Sequence, residues 1–197
     1  MAAQRIDNRR DIMLLLLYSP GVAEEFNEPI VGRTRLMKML FLFLKEGMHH
    51  FQRGADISEE RFYEFFPWNF GPFSSQVYDD LTFFTLHRFI EVKDTTEDTI
   101  PQSAAEWQMW LTSSSLLSTD EGCQTYREEA FSLTESGVKF ARELYSLLSP
   151  AQRRFLRTFK RKLSGISLRA ILQYVYDNYP EMTTRSKIKE ELLGYRY

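Results

Sequence analysis

Two apolar segments near the start of the chain predict buried helices. In residues 8–18, hydrophobic side chains occupy every side of the helix after its first turn, and Asp7 or Asn8 is a favourable N-cap. Such an all-round apolar surface is typical of a helix enclosed by protein. Residues 33–46 are also apolar over most of their surface and leave only a narrow polar strip before Gly47. We therefore predict that both helices lie in the core, the second at its centre.

An aromatic stretch in residues 62–90 turns at its middle and continues as a helix. The turn covers residues 67–72, and Ser74 after it is a favourable N-cap. Phe73 and Tyr78 have the spacing of a hydrophobic staple around that cap. At about 100° per residue, one side of the helix is apolar and predicted to face the core. The side that we predict to face solvent carries Gln76, Asp79, Asp80, Phe83 and His87.

The segments that follow have the pattern of a β-hairpin and a helix. Residues 89–93 and 126–133 predict two strands, and Thr134 is a favourable N-cap for the next helix. The stretch between the strands, at about 94–124, is rich in Thr, Ser and acidic residues and predicts an insertion. The order of strand, hairpin, strand and then a capped helix is the pattern of a wing. We therefore predict a winged-helix-like core over residues 1–148.

The end of the chain, residues 149–197, predicts a basic helical subdomain packed on this core. Ser149 and Pro150 are a favourable N-cap and first residue of a helix, which Gly165 ends. Within about 120° of that helix lie Arg153, Arg154, Arg157, Lys160 and Arg161. A further apolar stripe predicts another helix, which stops before Pro180. The predicted fold class is mainly α with a small β-wing, an α+β arrangement with additional C-terminal helices.

The net charge of −2 conceals a strong asymmetry along the chain. Residues 1–149 carry 14 basic and 23 acidic side chains, whereas residues 150–197 carry 11 basic and 4 acidic ones. Such polarity is expected of a nucleic-acid surface near the C-terminus. It is equally expected of two parts that dock by charge, or of an unevenly charged solvated surface. The sequence leaves these three interpretations open.

No motif in the chain predicts catalysis or metal binding. Cys123 is the single cysteine, which excludes an internal disulfide and a cysteine metal cage. His49 and His50 match no ligand spacing, and Asp79 and Asp80 point about 100° apart on their helix. We expect no enzyme activity, no cofactor and no metal. The longest apolar run is far shorter than the roughly 20 residues of a membrane span, so we expect a cytoplasmic protein without membrane contact.

Four short motifs follow one another along this chain. They are the helix at Gly32–Leu42, the aromatic-Gly-Pro turn at Phe70–Ser74, the helix start at Leu133–Gly137, and Tyr174–Glu181 followed by Lys187-Ile188. In this combination the chain resembles the YwgA-like proteins, a little-characterised bacterial family, over roughly residues 8–192. The helix motif at Gly32–Leu42 and the aromatic-Gly-Pro turn also resemble, more distantly, the Panacea (SocA-like) antitoxin domain. Together the resemblances imply a winged-helix-like fold without a known catalytic site. The likeness to the Panacea group implies antitoxin or adaptor behaviour.

The helix that begins at Ser74 separates two possible functions. In a winged helix that binds DNA, the helix before the wing enters the major groove, and lysine or arginine contacts the phosphates. Here Asp79 and Asp80 flank Phe83 on the predicted outer face, so this face would repel phosphate. An aromatic side chain within a polar rim is typical of a protein-contact surface. In a third interpretation, the insertion at 94–124 covers Phe83 within the fold.

From these features we expect a non-catalytic regulatory module that acts by contact with another protein. In line with the resemblance, it would be an antitoxin-like or adaptor protein of a bacterial toxin–antitoxin or defence-type system. Its partner would be a toxin or effector encoded by a neighbouring gene. The alternative is a winged-helix DNA-binding transcription regulator that contacts phosphates through the basic arc of residues 153–161. A homodimer is compatible with the apolar terminal helices.

Overall fold

The chain folds into a mixed α+β structure, as the hydrophobic pattern predicts. The computed structural model describes residues 6, 8–51, 61–95, 128–189 and 192. The helices are α1 (Arg9–Tyr18), α2 (Arg33–Leu42), α3 (Ser75–Leu86), α4 (Glu135–Leu147), α5 (Pro150–Ser164) and α6 (Leu168–Asn178). The strands are β1 (Ile30–Val31), β2 (Phe66–Trp68), β3 (Gly71–Phe73), β4 (Ile90–Thr95) and β5 (Glu128–Leu133). Most of the predicted insertion at 94–124 lies outside the described residues.

Three of the strands form an antiparallel sheet in the order β1-β5-β4. The hairpin predicted from the sequence is confirmed, since β4 pairs with β5 from Ile90 opposite Leu133 outwards. β1 adds to the other edge of β5, where Ile30 lies opposite Phe131. Thr134 then accepts a hydrogen bond from the backbone N of Gly137 and caps α4, as predicted. The sheet therefore joins the segment between α1 and α2 to the β4–β5 hairpin.

The predicted turn at residues 67–72 is a tight hairpin between β2 and β3. Trp68 lies opposite Gly71, so two residues form the loop between the strands. Gly71 has a φ of +82°, a conformation that glycine adopts at little cost. A Cβ at this position would lie 3.1 Å from the ring of Tyr176 on α6. The glycine thus permits both the turn and its close contact with the C-terminal part.

The core forms around α1 and α2, and the prediction that both are buried is confirmed. Residues 11–18 of α1 and 36–42 of α2 are all buried. After Leu42 the chain continues as a π-helical turn, Phe43–Gly47, and then as a short 3-10 turn, Met48–His50. The predicted helix over 33–46 therefore changes its winding in its last turn. None of the described helices combines the length and the apolar character needed to cross a membrane.

The helices α5 and α6 pack on this core. Leu156 of α5 and Ile171 and Leu172 of α6 belong to the same hydrophobic cluster as α1 and α2. Ser149 and Gln152 form a capping box at the start of α5, in which each side chain accepts a hydrogen bond from the other residue's backbone N. The division of the chain into two units at residue 148 stays a prediction.

Candidate functional site

Asp80 does not lie on the outer face of α3, so its assignment to a partner-binding surface is wrong. Its side chain is 0% exposed. Oδ1 accepts a hydrogen bond from Nε of Arg10 and Oδ2 accepts one from Nε of Arg9, both at 2.8 Å. These arginines begin α1, which covers this side of α3. The periodicity of α3 alone carries no information about that neighbour. Asp80 therefore connects α1 to α3 within the fold.

The rest of the predicted α3 surface is partly covered as well. Phe83 is half-buried, because the guanidinium carbon of Arg10 lies 4.1 Å from its ring centroid. The ring of His87 lies 4.3 Å from that of Phe83. Gln76 is half-buried and accepts a hydrogen bond from the backbone N of Glu64 at 3.0 Å. Phe83 is therefore covered on one side by Arg10. The insertion that the third interpretation places over Phe83 lies mostly outside the described residues.

A leucine that the sequence analysis missed is the most exposed apolar side chain of α3. Leu86 is 75% exposed and follows Asp79, which is also exposed, after two helical turns. This seven-residue spacing was the signal that could have identified it. α3 itself contains no lysine or arginine. We define the α3 face as Asp79, Phe83, Leu86 and His87.

The basic arc of α5 divides into side chains used inside the fold and side chains open to solvent. Lys160 is 0% exposed, so its assignment to a nucleic-acid surface is wrong. Its Nζ donates hydrogen bonds to the backbone O of Leu17 at 2.6 Å and of Glu28 at 2.7 Å. Burial lowers the pKa of Lys160 to about 7, and the nearby charge of Glu28 opposes that shift. The amine thus binds one carbonyl group at the end of α1 and one in the loop that follows it.

Three arginines of the same arc also contact other parts of the chain. Arg153 donates to the backbone O of Tyr145 at 3.1 Å and of Ser146 at 2.8 Å, in the last turn of α4. Arg157 and Arg161 both form ion pairs with Glu24, Arg161 at 2.6 Å. These contacts favour docking by charge among the three interpretations of the asymmetry. Arg154 remains exposed, and no contact to it is seen within the described part of the chain.

A groove that the sequence analysis did not identify runs along α5. Its apolar part is a cavity of about 320 Å³ between α5, α6 and the end of α2. The lining residues are Leu42, Glu46, Phe155, Thr158, Phe159, Lys162, Leu163, Ile166, Ala170, Ile171 and Tyr174. Its basic part adjoins the cavity and is lined by Arg154, Arg157, Thr158, Arg161, Lys162, Gly165 and Ile166. We call the two parts together the α5 groove. Finding it required knowing that α6 packs beside α5.

The carboxylate of Glu46 is held at one side of the α5 groove. Its Oε1 accepts hydrogen bonds from the hydroxyls of Tyr174 and Tyr179, both at 2.9 Å. The bond to Glu46 raises the pKa of Tyr174, while burial is the main cause that raises the pKa of Tyr179. Glu46 lies in the π-helical turn after α2. This turn therefore brings a negative charge to α6.

The polar strip of α2 also has a structural use. Lys38 is 2% exposed, and its Nζ donates a hydrogen bond to the backbone O of Pro72 at 2.8 Å. Burial lowers the pKa of Lys38 to about 7. Arg35 donates to the backbone O of Leu163 at 2.6 Å and of Ile166 at 2.7 Å. Lys38 thus holds strand β3 against α2, and Arg35 holds the end of α5 and the residue Ile166 after it.

The two adjacent histidines form an aromatic contact with α5. The ring of His50 lies 3.9 Å from that of His49 and 4.2 Å from that of Phe155. In the part of the chain that the structure describes, no group of three or more His, Cys, Asp or Glu side chains is arranged to hold a metal ion. Cys123 lies outside that part. Comparison with models of known families, with curated proteins and with solved structures found no match to this chain.

Proposed function

We propose that this protein is a non-catalytic regulatory module that binds another protein through the α3 face. The observation that carries the proposal is the exposed Leu86 on a helix without basic side chains. Burying an exposed leucine within a polar rim favours protein association. The exposed carboxylate of Asp79, two turns earlier on the same helix, would repel a phosphate backbone. A protein partner therefore fits this face better than DNA.

The order of elements supports a winged-helix-like core for this module. α3 comes directly before the β4–β5 hairpin, and β1 joins the same sheet through β5. In winged helices that bind DNA, the helix in this place enters the major groove. Here that helix presents Asp79 and Leu86 rather than arginine or lysine. The protein thus combines the element order of a DNA reader with a surface suited to a protein.

The motifs that resemble YwgA-like and Panacea (SocA-like) proteins support an antitoxin-like or adaptor role. In the structure, Lys38 of the first motif donates its hydrogen bond to Pro72 of the second. The two motifs therefore form one contact in the fold, which gives their joint occurrence a structural reason. We propose a cytoplasmic protein whose partner is a toxin or effector encoded beside it. We also propose that the described fold carries no catalytic site.

Co-expression with the products of neighbouring genes tests this proposal. Replacing the exposed leucine by a charged residue, Leu86→Asp, should weaken retention of the partner by about tenfold or more. The matched control is Leu147→Asp on α4, where an exposed leucine undergoes the same change. Equal retention by Leu86→Asp and by the unchanged protein would place the contact elsewhere. Circular dichroism of both variants shows whether the fold is retained.

Binding to duplex DNA distinguishes the alternative function, a DNA-binding transcription regulator. The exposed cations Arg154 and Lys162 lie on α5, and no contact to either is seen within the described ranges. The double variant Arg154→Glu and Lys162→Glu therefore removes phosphate contacts without breaking a described ion pair. Salt-sensitive binding to a duplex of about 20 base pairs, lost in this variant, would favour the regulator. Our proposal predicts no such binding at about 50 mM salt.

A further inference from the structure

The α5 groove combines an apolar cavity with a line of positive charge. The floor of the cavity is apolar, since Leu42, Leu163 and Ile171 are buried beneath it. At about 320 Å³ it is at the small end of the range for ligand pockets. Thr158, Lys162 and Ile166 line both the cavity and the basic part, so the two parts are continuous. A ligand that fills the cavity therefore lies next to the cations.

Among the described residues, the basic part has more cations than carboxylates that pair with them. Four of the seven residues that line it are cationic and exposed: Arg154, Arg157, Arg161 and Lys162. Within the described residues, one carboxylate, that of Glu24, forms ion pairs with two of them. These exposed pairs contribute little to stability and can exchange for other carboxylates. The surface is therefore complementary to an acidic ligand.

We propose that the α5 groove binds an acidic amphipathic helix of a partner protein. The apolar side chains of this helix fill the cavity, and its carboxylates contact the cations along α5. From Arg154 to Gly165 the groove follows α5 for roughly 16 Å, which equals three turns of a helix. Helices commonly dock in this way, with apolar residues at spacings of three and four. The length of the groove favours a helix over a small molecule.

The composition of the cavity also favours a peptide over single-stranded nucleic acid. Nucleic acid without base pairing binds by stacking its bases on exposed aromatic rings. The rings of Phe155 and Phe159 are half-buried and pack against Phe43 in the core. One face of the Phe155 ring is already stacked on His50. The exposed ring of Tyr174 is bonded through its hydroxyl to Glu46, whose carboxylate would repel a phosphate backbone. A phosphate backbone would contact only the cations and would leave the cavity unfilled.

The carboxylate of Glu46 disfavours acidic residues on one side of the bound helix. Tyr174 and Tyr179 hold it toward α6, whereas the cations follow α5. An acidic side chain toward α6 would face a like charge, which disfavours binding. The preferred helix therefore carries its acidic residues on the flank toward α5 and neutral residues on the flank toward α6. This inference concerns a second surface and does not depend on the α3 face.

A synthetic peptide tests the proposal directly. The probe is a fluorescein-labelled helix of about 16 residues, with leucines at helical spacing, glutamates on one flank and glutamines on the other. Its binding to the full chain is measured by fluorescence anisotropy at about 50 mM salt. We expect it to bind at least about tenfold more tightly than a scrambled peptide of equal composition. A peptide with lysines in place of the glutamates should also bind at least about tenfold more weakly.

Two variants of the protein locate the binding site. Ala170→Trp fills the cavity from an exposed position of α6 and should weaken binding by about tenfold or more. Arg154→Glu with Lys162→Glu reverses two exposed charges and should have an effect of similar size. The matched control reverses two exposed charges away from the groove, Lys139→Glu with Arg185→Glu. This control and Leu86→Asp on the α3 face should leave the affinity unchanged within about twofold.

Several results would overturn the proposal. One is equal binding of the scrambled peptide, and another is unchanged affinity in both groove variants. Tighter binding of a single-stranded DNA of about 16 nucleotides, weakened by the same variants, would identify a nucleic-acid groove instead. A dimer in sedimentation that Ala170→Trp dissociates would identify a second copy of this chain as the occupant. A further variant replaces residues 96–127 by a short linker. If the peptide then binds more than about tenfold more tightly, that acidic segment is the occupant of the groove.

Discussion

At the scale of single residues, burial determines what a charged side chain does in this protein. Asp79 and Asp80 are neighbours of the same type, but Asp79 is exposed and Asp80 is enclosed between two arginines. A buried carboxylate is stable only when hydrogen bonds and positive charge replace its water. Arg9 and Arg10 provide both. The same residue type is thus a structural contact at one position and part of a surface at the next.

Neutralising these two aspartates should have very different effects on stability. Asp80→Asn leaves two guanidinium groups without their carboxylate, and we expect it to lower the free energy of unfolding by about 2 kcal/mol. The partial exposure of both arginines keeps this value below that of a fully buried pair. Asp79→Asn is the matched control and should change stability by less than about 0.5 kcal/mol. Urea denaturation measures both, and equal effects would contradict the buried contact.

At the scale of secondary structure, two serines at predicted N-caps have different roles. Ser149 caps α5 through its side chain and takes part in a capping box. The backbone of Ser74 has the extended conformation of an N-cap before α3, but its side chain makes no capping hydrogen bond. Its hydroxyl is buried without a hydrogen-bond partner in the described part of the chain. The predicted staple is nevertheless present, with the rings of Phe73 and Tyr78 5.6 Å apart.

Removing the hydroxyl at each cap separates these two roles. Ser149→Ala should lower the free energy of unfolding by about 1 kcal/mol, because a backbone N at the start of α5 loses its acceptor. Ser74→Ala should change it by less than about 0.5 kcal/mol, or raise it, since the lost hydroxyl is buried without a partner. Thermal unfolding followed by circular dichroism compares the two variants. A loss at Ser74 as large as that at Ser149 would show that its hydroxyl has an acceptor or a donor in solution.

At the scale of the whole molecule, cationic side chains connect elements that are far apart in the chain. The basic α5 contacts the acidic loop after α1 through Glu24, and Lys160 reaches carbonyl groups at Leu17 and Glu28. Lys38 similarly joins α2 to the β2–β3 hairpin. Burial lowers the pKa of both lysines to about 7. The stability of the whole fold should therefore depend on pH in the neutral to alkaline range.

Lys38→Met tests the sign of this dependence. Below pH 7 the amine is protonated in both the folded and the unfolded chain, so the cost of burying its charge is fully present. As the pH rises from 7 toward 10.5, the folded chain releases a proton that the unfolded chain keeps, and the free energy of unfolding increases. Between pH 7 and 9, the unchanged protein should gain about 2 kcal/mol relative to Lys38→Met. Urea denaturation across this range measures the difference.

The control for this experiment is an exposed lysine. Lys139→Met on α4 removes a charge that is open to solvent. Its pH profile should run parallel to that of the unchanged protein, because both proteins keep the buried Lys38. A parallel profile for Lys38→Met would mean that Lys38 stays protonated in the fold up to pH 9.

The sequence alone determined the local part of this structure. The apolar character of residues 8–18 and 33–46 on nearly every side predicted two buried helices. Ser149 and Thr134 predicted helix starts that the structure confirms. The β4–β5 hairpin was predicted from apolar strands on either side of a polar stretch. These features depend on residues close together in the chain, where helical and strand periods and turn chemistry act directly.

Only the tertiary structure decided which polar side chains are available to a partner. Arg10 and Asp80 are 70 positions apart in the chain, and Lys160 and Leu17 are 143 apart. A helical wheel shows which residues share a face, but the element that packs across that face depends on long-range folding. The α5 groove is decided in the same way, since it exists only where α6 and the end of α2 meet α5. Local periodicity therefore defined the helices, and packing between distant segments defined their exposed surfaces.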